Sequence, residues 1–233
     1  MYVAELWRYP VKSMAGEPLT SAMITEAGIV GDRSVYVLGP HGRIVTARTR
    51  PRLLRHRAAL GLDGEPLVDG RSWRAPDVAR DAVAAVGAGA RLVAAVGLER
   101  FDILPLLVAT DGAVQALGTD RRRLRPNIVI GGVPGLAERT WEGGWLRIGE
   151  VHIGVEDLRQ RCIMTTFDPD TLEQDTSVLR RINRDFGGRV ALNCFVAQGG
   201  PIAVGDPVEF RRHGADDPSL GALPGRVSQR LTP

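Results

Sequence analysis

Apolar residues along this chain mostly alternate with polar ones over short runs, and Gly or Pro interrupts most runs before a helical period develops. That pattern predicts strands over residues 3–9, 19–25, 35–38, 44–47, 55–62 and 66–73. Gly39-Pro40-His41-Gly42 and Asp63-Gly64-Glu65 sit between runs at hairpin spacing. Further strands are expected at 91–96, 104–109, 127–130, 145–148, 151–155, 190–196 and 207–210. Gly149-Glu150 is the two-residue turn within the third of these hairpins. A short helix fits residues 76–86, and Asp111 is positioned to cap another over 112–117. Val178, Leu179, Ile182 and Phe186 mark a third, over 177–186. The basic run Arg121-Arg122-Arg123 reads as a solvated helix face or loop. The chain is therefore mainly β, a barrel or sandwich with a few short helices. Residues 213–233 are rich in Gly, Pro, Asp and Ser and read as a mobile tail or partner-binding extension.

With 233 residues there is chain enough for one large domain or two packed small ones. No window holds the roughly 18 uninterrupted apolar residues of a membrane span. Residues 2–7 already read as a strand, so no secretory signal is expected. Two cysteines, Cys162 and Cys194, form at most one disulfide, which points to a soluble, reduced, cytoplasmic protein. A net charge of +3 does not argue for nucleic acid. Lys12 is the sole lysine, and every other basic residue is arginine. A GC-rich coding sequence is the plain reading of that bias. Guanidinium groups nevertheless suit bidentate recognition of phosphate, so arginines in turns are candidates for an oxyanion site.

Tyr9-Pro10-Val11-Lys12-Ser13 exposes an ammonium and a hydroxyl at a strand end, a pair suited to a phosphate oxygen, though a solvated loop lysine is the commoner outcome. In Gly31-Asp32-Arg33 an acid stands ready to orient an arginine, or to form a surface ion pair. Thr46 and Arg48 share a strand face by alternation. Arg125 and Asn127 do likewise around Pro126, with strand-end capping as the plain role for Asn127. Free cysteine usually packs as a small hydrophobe. Arg159 and Arg161 favour the thiolate of Cys162, whereas Cys194, between Asn193 and Phe195, reads as core. Histidines 41, 56, 152 and 213 lack ligand spacing. No zinc motif, P-loop, Gly-x-Ser-x-Gly or Rossmann fingerprint occurs.

In order and spacing these pieces resemble the MOSC superfamily (molybdenum cofactor sulfurase C-terminal domain). The branch is the one with an N-terminal β-barrel, which includes the mitochondrial amidoxime-reducing component and its bacterial counterparts. The resemblance covers residues 2–212. It rests on Tyr9 to Ser13, Gly31-Asp32-Arg33, Thr46-Ala47-Arg48 with Pro51-Arg52-Leu53, and Phe101-Asp102 with Pro105. It continues through Arg125-Pro126-Asn127, Trp141 with Ile148-Gly149-Glu150, Arg161-Cys162, Thr165 to Thr171, and Val204-Gly205-Asp206-Pro207-Val208.

The resemblance implies an N-terminal MOSC barrel over 1–98, packed on a MOSC domain over 99–212. It implies a molybdenum–molybdopterin cofactor with Cys162 as the metal's thiolate ligand and catalytic anchor. Lys12, Ser13 and Arg33 match pterin- and phosphate-holding positions, and Arg125, Asn127 and Arg161 line the same pocket; Thr46 and Arg48 are added from their strand-end placement. The implied activity is reduction of N-hydroxylated small molecules by oxygen-atom removal, with electrons from a separate ferredoxin- or flavoprotein-type donor. A sulfur carrier using a Cys162 persulfide is the alternative, with a non-catalytic molybdopterin-binding module as a third reading. Two departures stand out: Arg159 occupies a position that is often cysteine, and Leu172 one that is often glycine, so the turn at Leu172 is expected to differ in shape. With only Cys194 after Cys162, the chain cannot supply the four cysteines of a [2Fe-2S] cluster.

Overall fold

The structure, a computed structural model, describes residues 1–97 and 100–212. The first half contributes β1 (Tyr2–Arg8), β2 (Glu17–Leu19), β3 (Ser21–Thr25), β4 (Gly28–Ile29), β5 (Val35–Leu38) and β6 (Ile44–Val45). It continues with β7 (Ala58–Leu60), β8 (Pro66–Val68), β9 (Arg71–Ser72), α1 (Pro76–Val86) and β10 (Arg91–Ala94). The second half contributes β11 (Leu106–Thr110), α2 (Asp111–Leu117), β12 (Ile128–Gly131), β13 (Trp145–Ile148) and β14 (Val151–Gln160). It ends with α3 (Thr176–Phe186), β15 (Arg189–Gln198), β16 (Gly200–Ala203) and β17 (Glu209–Arg211). The fold is mainly β, as the alternating pattern predicts. The expected tail, 213–233, lies outside the described residues.

Eight strands form one sheet in the order β17-β13-β14-β15-β11-β12-β1-β2. Neighbours run antiparallel except β11 and β12, which are parallel and joined through α2. The stretch just before β17 bonds to the opposite side of the sheet. Gly205 N donates to Val3 O, Val3 N to Asp206 O, and Val208 N to Met1 O, at 2.8–3.0 Å. One continuous segment thus meets β1 and then β13, and the sheet returns on itself as a barrel does. Alternate residues point inward, so Ile128 and Ile130, Leu146 and Ile148, and Ile153 and Val155 share one core with Cys194. On the outer face, Val178, Ile182 and Phe186 of α3 pack with Ala113 and Leu117 of α2. α3 starts where Asp175 accepts from Ser177 N and stops at Gly187, whose φ of 61° ends the helical path.

Among the described residues three three-stranded sheets accompany the large one: β10-β5-β6, β16-β3-β4 and β7-β8-β9. Val11, Val35, Val37, Leu53 and Trp73 form a second core beneath α1. Two strands cross the expected boundary at residues 98 and 99, which are outside the described residues: β1 pairs with β12, and β16 with β3.

Local departures have clear causes. Residues 66–73 form a hairpin, not one strand, because Asp69 and Gly70 adopt φ of 50° and 78° and turn the chain. Arg55 belongs to a 3₁₀ turn begun by Pro51, so β7 starts at Ala58. Strand β6 stops at Val45, leaving Thr46 and Arg48 in the following turn. Thr110, not Asp111, caps α2, accepting from Ala113 N at 3.1 Å. The Asp111 carboxylate instead accepts from Gly132 N and Val133 N, tying α2 to the end of β12.

Candidate functional site

The peptide run around Cys162 is held by strand pairing and its own hydrogen bonds before any ligand is considered. Strand β14 continues past the expected end at Val155 to Gln160, with register shifts between Val155 and Asp157 and between Leu158 and Gln160. Such bulges re-aim side chains. Arg159, Gln160, Arg161 and Cys162 consequently all line one pocket, although strict alternation would send half of them to the other side. Beyond Cys162 the chain makes the 3₁₀ turn Ile163–Thr166. The Thr165 hydroxyl donates to Cys162 O at 2.9 Å, and the Thr166 hydroxyl to Ile163 O at 2.6 Å. Asp168 accepts from Asp170 N and Thr171 N, both at 3.0 Å.

The Arg121-Arg122-Arg123 run is a 3₁₀ turn that stays partly exposed, as its reading as a solvated face or loop implied, and it also clamps the Cys162 loop. Arg123 donates to Thr166 O at 2.8 Å and to Asp168 at 3.0 Å, and it lines the pocket itself. Arg122 grips Asp170 through both terminal nitrogens, and Arg121 pairs with Glu5.

The opposite wall comes from the first half. After β1, Val11 bridges to Val35 and Lys12 N donates to Val35 O at 2.8 Å, which sinks Val11 and Met14 into the second core. Lys12 and Ser13 face the pocket from that turn. Ser13, Arg33 and Arg125 have φ of 71°, 50° and 55°. A left-handed backbone costs a non-glycine residue about 1–2 kcal/mol. Three such residues lining one pocket mark it as a place where conformation is held for a purpose.

Lys12, Ser13, Arg33, Thr46, Arg48, Arg125, Arg161 and Cys162 all meet in this pocket. Asn127 does not line it. The Asn127 side chain is fully buried; its Oδ1 accepts from Leu107 N at 3.2 Å and its Nδ2 donates to Trp7 O at 3.3 Å. That Oδ1 also receives Arg33 at 3.4 Å, so Asn127 supports the site through Arg33. Buried Asp32 accepts from Tyr9 N at 2.7 Å and pairs with Arg33. The Tyr9 ring lies under two guanidinium groups, Arg125 at 4.3 Å and Arg33 at 5.3 Å. Burial pushes the Tyr9 hydroxyl up to about 12, against the pull of those arginines.

Among the described residues, seven basic side chains and a single carboxylate, Asp102, line the pocket. Asp102 meets Lys12 at 2.9 Å, Arg48 at 2.6 Å and Arg159 at 3.3 Å. Burial alone would raise its pKa, but Lys12 and Arg48 hold it down at about 2. Burial lowers Lys12 despite Asp102, and lowers Arg125 and Arg161 to about 10, so both guanidinium groups stay charged at neutral pH. Burial also pulls on Arg48, which is nevertheless raised by Asp102 and by the adjacent Cys162 sulfur. Cys194 sits in the core, its thiol pushed far up by burial. Both cysteines are free.

Residues 1–76 match the MOSC N-terminal beta barrel domain, and residues 110–209 match the MOSC domain. The chain belongs to the MOSC superfamily. Its relatives include human mitochondrial amidoxime reducing component 2, at 29% identity over 72% of this chain and 67% of that protein. Human mitochondrial amidoxime-reducing component 1 is 27% identical, again over 72% and 67%. The crystal structure of the YUAD protein from Bacillus subtilis superposes with a TM-score of 0.47 at 13% identity, covering 91% of this chain and 96% of that one. Among the described residues of this MOSC protein no helix is long and apolar enough to cross a membrane.

Sequence reasoning left three site residues without a role. Asp102 was legible only as part of Phe101-Asp102, and Arg123 was masked by the surface look of a basic run. Tyr9 read as a strand-end aromatic, and only its cation partners, 24 and 116 residues away in sequence, reveal it.

Proposed function

We propose that this MOSC protein is a molybdenum-cofactor-dependent reductase of N-hydroxylated small molecules, with electrons delivered by a separate ferredoxin- or flavoprotein-type donor. The observation carrying this reading is the convergence of the Cys162 sulfur with seven basic side chains from both halves of the chain. The residues fit a phosphorylated, metal-bearing pterin. Among the described residues Arg161 Nε is buried without a hydrogen-bond partner while its Nη2 is tied to Leu124 O at 2.7 Å, leaving a donor for an incoming oxyanion. A soft, redox-active metal suits a thiolate ligand, and no other cysteine lines the pocket.

Cys162 is the metal ligand in this reading. Lys12, Ser13, Arg33, Arg125 and Arg161 hold the pterin and its phosphate, with Thr46 and Arg48 on the adjoining wall and Asn127 fixing Arg33 from behind. When bound, the cofactor would take up the substrate oxygen atom and give up two electrons, which the separate donor would return. Hydrogen bonds to Met14 O and Leu124 O lock Arg125 and Arg161 before the ligand arrives, so little ordering remains on binding. The 3₁₀ turn after Cys162, clamped by Arg123, holds the sulfur in place. We also retain the two-part division of the chain, 1–98 and 99–212, as a reading of its organisation.

Protein made in a cofactor-competent host should contain molybdenum and pterin and reduce benzamidoxime with a chemical electron donor. Cys162→Ser should lose metal and turnover together. Purified protein free of molybdenum, or a Cys162→Ser variant retaining both properties, would end this reading.

A further inference from the structure

Arg159 stands at the end of β14, on the Cys162 side of the pocket; the cofactor reading counts it among the seven basic side chains but gives it nothing to hold. Its Nη1 donates to Asn193 Oδ1 at 3.2 Å, and Asn193 is itself fixed by donating to Asp157 Oδ1 at 2.6 Å. Its Nη2 reaches Asp102 Oδ2 at 3.3 Å. That oxygen already accepts from Arg48 at 2.6 Å, while Asp102 Oδ1 meets Lys12 at 2.9 Å. Among the described residues one carboxylate therefore answers three cations, and Arg159 holds the longest of the three contacts. Arg159 is also crowded by like charge. Burial lowers its pKa, and Arg48 and Arg33 lower it further against the pull of Asp102. A second anion placed against Arg159 and Arg48 would relieve that excess at small cost, because the Asp102 contact it displaces is stretched. Arg48, Arg159 and Cys162 line the same pocket, so such an anion would sit in the chamber that holds the reacting centre.

We propose that Arg159, together with Arg48, forms an anion subsite for the substrate beside Cys162, so that this protein takes N-hydroxylated compounds carrying a carboxylate or similar oxyanion. The proposal deepens the reductase reading and rests on it for the reacting group, but not for the anion. Arg159 acts as a specificity residue: its strand position and Asn193 hold it in place, and its side chain lines the pocket and remains 15% exposed.

The test uses cofactor-loaded wild type, Arg159→Gln and Arg159→Lys, with molybdenum and pterin content measured in each. Calorimetry compares benzoate with its neutral isostere benzamide, and steady-state kinetics compares benzamidoxime with its para-carboxylate. Wild type should bind benzoate about tenfold or more tighter than benzamide, as expected for a charge-assisted pair. Arg159→Gln should erase that preference, and should raise KM for the carboxylated amidoxime more than it lowers kcat, at unchanged pterin content. Arg159→Lys should recover part of the preference. Equal binding of the two probes by wild type, an unaltered preference in Arg159→Gln, or loss of pterin from that variant overturns the proposal. A benzoate preference that depends on Arg159, with neither amidoxime turned over, supports the subsite and sinks the reductase reading.

Discussion

Replacing Arg33 by alanine strips the ion partner from a carboxylate that has no exposure of its own. The Asp32 side chain is 0% exposed and Arg33 17%. After the change, the Asp32 carboxylate keeps, among the described residues, the hydrogen bond from Tyr9 N at 2.7 Å and little else. Leaving a buried charge without its partner costs about 3–5 kcal/mol. The space vacated by Arg33 opens toward the pocket and admits water, so we expect about 2–3 kcal/mol for Arg33→Ala. Asp32→Asn alone should cost about 1–2 kcal/mol, because Arg33 retains solvent access and the amide oxygen still accepts from Tyr9. With both changes made, neither charge is stranded, and the total should stay near about 2 kcal/mol. The cycle thus carries a coupling of about 2 kcal/mol, read from urea midpoints at constant slope. Costs that add to within about 0.5 kcal/mol would refute the pairing. Arg33→Gly offers an internal check. It loses the same side chain but relieves the φ of 50°, so it should be about 0.5–1 kcal/mol more stable than Arg33→Ala.

Three further outcomes follow from the geometry. Leu172 adopts a φ of 60°, the left-handed conformation glycine enters freely, so Leu172→Gly should stabilise by about 0.5–1 kcal/mol and raise Tm by a degree or more; a lower Tm would contradict the strain argument. Asp102, held at about 2 in the folded protein against an ordinary value of about 3.9, contributes stability that is present above about pH 4 and lost as the pH falls through about 2. Wild type should therefore exceed Asp102→Asn by about 1–2 kcal/mol at neutral pH, discounted for partial exposure, and the gap should close in acid; a gap independent of pH would count against the cluster. Ellman's reagent should modify Cys162 in native cofactor-free protein and reach Cys194 only on unfolding, since Cys194 is 0% exposed; equal rates for the two thiols would show that the core reading of Cys194 is wrong.

The chain's own pattern was sufficient for the β class, for α1 over residues 76–86, and for α3 within a residue of its start, because alternation and helical spacing are local properties of neighbouring side chains. The short motifs at Lys12, Arg33, Arg125 and Cys162 also stood out locally, since each pairs a turn with a charge or a thiol. What no local pattern contains is the closure of the sheet, in which residues 205–211 meet β1 and β13, or the exchange of β1 and β16 between the halves. The same limit explains the site. Bulges in β14 decide which way Arg159 and Arg161 point, and Tyr9 acquires its two guanidinium partners only when the first strand enters the large sheet. Asn127 looks like Arg125 in sequence, yet it turns inward because Leu107 N and Trp7 O need partners there. Hydrophobic periodicity chooses the elements. Long-range pairing and the demand that buried polar groups be satisfied decide where their side chains meet.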